Sequence, residues 1–221
     1  MVNALPHPDV WRADALAGWR QPVAASGWDA LDAVLPGGGW PLGALVELVT
    51  AAAALPWRLL LPALRAASAQ GQVALVGLPL QPNAAAWAAH GVAPQRLWQV
   101  QTQALHETLW CAEQLLACPE LALCWLHAPH LDMAASRRLQ QAASAARRGA
   151  ALEGGDGWPA PLVVLSRPLP SSGTSAAPLR LQVAPDGPAA LAVQVLKRRG
   201  PPLARTLRLP APWAWSEWSH A

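Results

Sequence analysis

The chain has 221 residues, 53% of them hydrophobic and 13% charged, with a net charge of +3. That length suits one domain with a substantial core. The chain is too apolar for disorder, and no uninterrupted apolar stretch is long enough to span a bilayer. The opening residues, MVNALPHPDVWRADAL, lack a basic start followed by an apolar run, so no signal peptide is expected and the location expected is cytoplasmic, with no membrane contact. The 3 cysteines form no C-x-x-C pair, and reduced, buried thiols are expected of them. With 13 Trp and no Phe or Tyr, several indoles must fill core positions that Phe ordinarily takes.

In chain order, residues 1–25 read as an N-terminal docking segment, with Val10, Trp11 and Leu16 on a short helix. Ser26-Gly-Trp-Asp29 resembles a capping box that opens a helix through Leu35, with Asp29 in the place of the usual Glu. Trp28, Leu31 and Leu35 fall on its inner face, and Pro36 with the glycines after it stops it. Apolar runs then alternate with helical patterns. Strands are expected at 45–49, 73–78, 97–100, 121–126 and 162–166. Helices are expected at 57–69, 83–90, 106–117 and 133–148. Leu60, Leu61 and Leu64 point inward on the first of these, and Leu109, Ala112 and Leu116 on the third. This alternation implies right-handed βαβ units and a mostly parallel sheet covered on both faces. The segments 179–183, 191–197 and 205–209 alternate apolar and polar residues around the Pro185-Asp186-Gly187 turn signal. They are expected to extend one edge of the sheet as antiparallel strands. The division expected is a docking segment at 1–25, a core at 26–210 and a Trp-rich C-terminal tail at 211–221.

Residues 26–48, SGWDALDAVLPGGGWPLGALVEL, resemble the segment that leads into the phosphate loop of RecA and its relatives. The likeness runs on through residues 73–101, the strand at 121–126 and the segment LAVQVLKRR at 191–199. Within that superfamily the chain is most similar to ImuA, the RecA-like accessory family of bacterial mutagenesis cassettes. The shared pattern is L-P-G-G-G-W-P-x-G-x-L-x-E-L at 35–48 and V-x-x-L-K-R-R-G at 193–200. The resemblance implies a RecA-like three-layer α/β domain. It also implies a role in SOS-induced translesion DNA synthesis, with three partners: an ImuB-type Y-family-like protein, an error-prone replicative-type polymerase and RecA itself. A second resemblance, to SulA-like cell-division inhibitors, is weaker because the Lys-Arg-Arg-Gly ending is missing there. An active nucleotide-binding RecA-like ATPase is the third reading.

A working phosphate loop needs glycines to wrap the phosphates, a Lys to neutralise them and a hydroxyl for Mg²⁺. After the strand at 45–49 stand Thr50, four alanines, Leu55, Pro56, Trp57 and Arg58, which supply none of these at the right spacing. By the resemblance, the catalytic acid falls at Pro79 and the metal-orienting Asp at Trp125. Thr50, Arg58, Pro79 and Trp125 are therefore the degenerate ATPase positions. No catalysis and no cofactor are expected, since positioning and electrostatics carry phosphoryl transfer. The old cleft either binds nucleotide weakly or is packed shut by Ala, Leu and Trp.

Other clusters leave two readings each. His127, His130 and Asp132 have the composition of metal ligands but sit in what reads as a polar loop. No G-x-S-x-G elbow supports hydrolase chemistry. Arg137, Arg138, Arg147 and Arg148 mark the two ends of one helix, as a DNA or partner contact or as solvated helix ends. Lys197, Arg198, Arg199, Arg205 and Arg208 form either a basic stripe for phosphates or an acidic partner, or a solvated strand end. By the resemblance, the small-residue segment 168–178 lies where RecA-like proteins carry a DNA-contacting loop; the other reading is a plain surface loop. Trp213, Trp215 and Trp218 in the tail dock a partner or fold back on their own domain.

Overall fold

The computed structural model describes residues 21–50, 56–146, 157–169 and 175–210. The expected α/β architecture is present: a mostly parallel central sheet with helices on both faces and antiparallel strands at one end. In chain order the strands are β1 (Val23–Ala24), β2 (Trp40–Pro41), β3 (Leu45–Thr50), β4 (Gln72–Val76), β5 (Leu97–Val100), β6 (Leu121–His127), β7 (Leu162–Pro168), β8 (Leu179–Pro185), β9 (Ala190–Lys197) and β10 (Thr206–Pro210). The helices are α1 (Asp29–Asp32), α2 (Trp57–Gln70), α3 (Ala84–Ala89), α4 (Leu105–Leu116) and α5 (Met133–Ala145). The main sheet has the order β10-β9-β8-β3-β7-β6-β4-β5. Pairing is parallel from β8 through to β5 and antiparallel for β8–β9 and β9–β10. No helix among the described residues is long and apolar enough to cross a membrane.

Strand period divides the core in two. In β3, Val46 and Leu48 join a cluster with Leu31, Leu60, Leu64 and Trp125 under α1 and α2. Leu45 joins Leu109, Leu126 and Leu139 under α4 and α5. The inward faces expected for α1, α2 and α4 are the buried ones: Trp28, Leu31 and Leu35; Leu60, Leu61 and Leu64; Leu109, Ala112 and Leu116. β8 and β9 show the alternation of strands with one buried face, Leu179, Leu181 and Val183 lying inside while Arg180, Gln182 and Ala184 are half-buried.

Several boundaries and one cap differ from expectation. α1 is a single turn, and Asp32, not Asp29, closes its start. The Asp32 carboxylate accepts the Ser26 N–H at 3.0 and 3.2 Å, and Ser26 Oγ accepts the Trp28 N–H at 3.1 Å. Gly27 takes φ +80°, and a Cβ there would lie 2.3 Å from Pro62 Cβ, so glycine lets this turn sit directly on α2. Trp28 fastens the same contact by donating its indole N–H to the Leu59 carbonyl at 3.1 Å. α5 ends at Ala145, because Ala146 is extended (φ −63°, ψ 132°), short of the expected 148. β4 ends at Val76 and not at Leu78: Gly77, at φ +61°, turns the chain out of the sheet. The β1–β2 pair was not expected. It ties the end of the proposed docking segment to the core, with Val23 opposite Pro41 and the Leu42 N–H on the Pro22 carbonyl at 2.8 Å. Residues 1–20 and 211–221, which hold the rest of that segment and the tail tryptophans, lie outside the described residues.

Candidate functional site

Parallel pairing brings the carboxyl ends of β3, β4, β6, β7 and β8 to one edge of the sheet, where open α/β folds hold their ligands. A cavity of about 640 Å³ lies there. Its walls come from the end of β3 (Thr50), the first turn of α2 (Trp57, Arg58), β6 (Trp125) and α3 (Trp87), and from the ends of β8 and β9 (Val183, Leu191). Apolar side chains dominate the walls, and among the described residues none of those lining it is acidic. Leu80 stands at the mouth with 61% of its surface exposed.

Three of the four positions expected to be degenerate ATPase positions, Thr50, Arg58 and Trp125, line this cavity. Thr50 is buried as the last residue of β3, with its carbonyl accepting the Leu169 N–H at 2.7 Å. Arg58 lies 5.5 Å from the Trp57 ring and donates to the Pro188 carbonyl at 3.4 Å, a reach across the cavity wall to the β8–β9 turn. Trp125 is fully buried between Leu75 of β4 and Val164 of β7. Its indole N–H donates to Ser166 Oγ at 3.0 Å. Pro79 is exposed in the turn after β4, between Leu78 and Leu80, which do line the cavity. Trp125 presents an N–H donor and none of the acceptor oxygens that a hydrated Mg²⁺ requires. What remains is an apolar chamber with a cationic rim. Residues 51–55, on which the expectation of a packed-shut cleft also rested, lie outside the described residues.

The three residues with the composition of metal ligands have separate surroundings, and His130 is exposed. Asp132 is the N-cap of α5 and accepts the Ala135 N–H at 2.7 Å. His127 Nδ1 lies 3.1 Å from Ser166 Oγ, and burial pushes the imidazole below the usual histidine range. Among the described residues no group of three His, Cys, Asp or Glu side chains comes together to hold a metal. The Cys124 thiol is buried in β6, and burial pushes it up to about 12, so it stays protonated and unreactive.

The basic residues do not form one stripe. Lys197 donates to the Ser175 carbonyl at 3.0 Å. Arg198 donates to the Pro201 carbonyl at 2.9 Å and also to the Val34 carbonyl, so it clasps the turn after α1 to the end of β9. Arg208 pairs with Asp186 at 2.8 Å, at the opposite end of β9 from Lys197, since it lies across from Ala192. Arg199 and Arg205 are exposed near the Lys197 end. On α5, Arg138 pairs with Glu113 of α4 at 2.6 Å, and Arg137 is exposed beside it. Arg147 and Arg148 lie outside the described residues, as do residues 170–174 of the segment 168–178.

Sequence reasoning missed two features. One is the set of cavity walls away from the phosphate-loop position: Trp87, Leu80 and Leu191. The other is a buried ion cluster. Glu47, fully buried in β3, accepts from Arg180 at 3.1 Å and Arg167 at 3.3 Å through one carboxylate oxygen. A Glu inside the apolar run LVELVT was the signal available, because a buried carboxylate demands a cationic partner. At the start of α4 the Glu107 carboxylate accepts the N–H groups of Gln103 and Ala104 at 2.9 and 3.1 Å, which hold it below the usual carboxylate range.

Fold and site together define a class, a three-layer α/β domain with an apolar cavity at the carboxyl edge of a mainly parallel sheet. No family model matches the chain, and no curated protein matches it at a significant level.

Proposed function

We propose that this chain is a non-catalytic accessory protein of SOS-induced translesion DNA synthesis. It recruits or assembles an ImuB-type Y-family-like protein and an error-prone replicative-type polymerase, with RecA and DNA as further contacts. The observation that carries this reading is the lining of the cavity at the carboxyl edge, which includes Thr50, Arg58 and Trp125. On the resemblance to RecA-like proteins, these positions and Pro79 are the ones that a working ATPase would fill with its phosphate loop, metal-orienting carboxylate and catalytic acid. On this reading, a RecA-like domain without that charged machinery offers a scaffold in place of phosphoryl transfer. The motif resemblance at 35–48 and 193–200 supplies the biological setting.

On this reading the tail tryptophans Trp213, Trp215 and Trp218 dock the partner, and the exposed Arg137, Arg199 and Arg205 supply electrostatic attraction to DNA or an acidic surface. Co-purification of the full chain with an ImuB-type protein tests it. Retention by the unaltered chain, with loss on Trp213→Ala, Trp215→Ala and Trp218→Ala together, is expected. Failure of the unaltered chain to retain either the ImuB-type protein or the polymerase removes the proposal.

A further inference from the structure

The cavity at the carboxyl edge is open and apolar, and it carries an exposed leucine at its mouth. Its volume of about 640 Å³ falls in the range of roughly 300–1,000 Å³ in which proteins receive ligands. The chain itself presents a matching occupant at the same edge. β10 is antiparallel to β9, β9 is antiparallel to β8, and β8 is parallel to β3. β10 therefore runs in the direction of β3, and Pro210 emerges at the edge where Thr50 opens the cavity. Pro210 lies opposite Ala190, and Leu209 lies opposite Leu191, a cavity wall. β8, which supplies another wall through Val183, is two strand spacings from β10, or about 10 Å. An extended chain covers about 3.3–3.6 Å per residue. Three residues beyond Pro210 are therefore enough chain to span the distance to that wall, and the eight residues to position 218 are enough to span the five strand spacings, about 24 Å, from β10 to β6.

The chemistry is complementary as well. The walls are Trp, Leu and Pro with Arg58 and His90 as their basic members and no acidic one. The segment APWAWSEWSHA at 211–221 has 3 Trp and one acidic side chain, Glu217, with no Lys or Arg. Indoles bury large apolar area at low conformational cost, and a carboxylate beside Arg58 is attracted by its guanidinium.

We propose that this cavity is the seat of the chain's own Trp-rich segment 211–221. The segment would leave the cavity to dock a partner, so the two engagements exclude each other. The seat itself requires no partner, so its failure and the failure of the accessory-protein reading are told apart.

The full-length chain carrying p-benzoylphenylalanine at position 215 tests the seat by photo-cross-linking and peptide mapping. Adducts within one chain, on the peptides that hold Trp57, Leu80, Trp87 or Leu191, are expected. Leu80→Asp, at an exposed rim position that tolerates charge, is expected to lower their yield several-fold. Adducts confined to α4 or α5, or formed only between two chains, overturn the proposal. As a second measurement, fluorescence of 8-anilinonaphthalene-1-sulfonate on the full chain is expected to rise several-fold when Trp213, Trp215 and Trp218 are all replaced by Ala, because the cavity is then vacated. Equal dye uptake by the two chains overturns the proposal.

Discussion

Trp125 donates its indole N–H to Ser166 Oγ at 3.0 Å, across the β6–β7 pair in the middle of the sheet. The serine in turn lies 3.3 Å from the Leu126 carbonyl and 3.1 Å from His127 Nδ1. Trp125 is thus bound into the core by both its ring and its polar atom. Trp125→Ala should destabilise the fold by about 3–5 kcal/mol, as large aromatic truncations in cores do. Trp125→Phe, which keeps most of the ring volume and loses the donor, should cost about 1 kcal/mol. Denaturant unfolding of the two variants checks the ordering. Equal losses would show that the ring volume is not what matters.

Glu47 sits between two guanidinium groups with one carboxylate oxygen serving both, while its other oxygen has no partner. Removing the carboxylate leaves buried positive charge uncompensated. Glu47→Gln should therefore cost about 3–5 kcal/mol, the usual consequence of breaking a buried pair from one side. Replacing Glu47, Arg167 and Arg180 together by Leu should recover most of that loss. Chemical denaturation of the single and triple variants measures both.

Arg198 and Arg199 are neighbours with different work. Arg198 holds the turn after α1 against the end of β9 through the Val34 carbonyl, and Arg199 is exposed. Arg198→Ala should destabilise by about 1–2 kcal/mol, the range for hydrogen bonds from a charged donor. Arg199→Ala should change stability by no more than about 0.5 kcal/mol. If Arg199→Ala weakens DNA or partner binding while leaving the melting temperature in place, its role is in contact and not in folding.

Burial holds His127 below the ordinary histidine value of 6.5. The unfolded chain then binds a proton more readily than the folded one as pH falls through 6.5. Stability from this group is complete above that pH and is lost as pH falls through the folded value. The thermal midpoint should drop between pH 7.5 and pH 5.5 (roughly the window in which an ordinary histidine gains its proton), and His127→Gln should flatten the drop. An identical pH profile for the variant would assign the loss elsewhere.

The layered architecture was legible because its signals are local and repeated. Leu121 to Leu126 is an unbroken apolar run, and the alternation in 179–183 and 191–197 marks strands with one solvated face. Element ends were less legible. Asp29 stands three residues from Ser26 and Asp32 six, yet it is Asp32 that reaches back to the Ser26 N–H, beside the tight turn at Gly27 that is pressed on Pro62. The basic cluster shows the same limit: Lys197, Arg198 and Arg208 are near in sequence, yet Ser175, Val34 and Asp186 draw them to separate places. The cavity walls Trp87 and Leu191 come from elements 104 residues apart (191 − 87), which no spacing rule connects.

The most direct test of a non-catalytic accessory role is the binding of an ImuB-type protein by the purified full-length chain, titrated with and without Mg²⁺-ATP. The expected result is saturable binding that ATP does not alter, that the triple replacement of Trp213, Trp215 and Trp218 by Ala weakens, and that proceeds with no ATP turnover above background. Absence of binding, or ATP turnover abolished by Arg58→Ala, would contradict it.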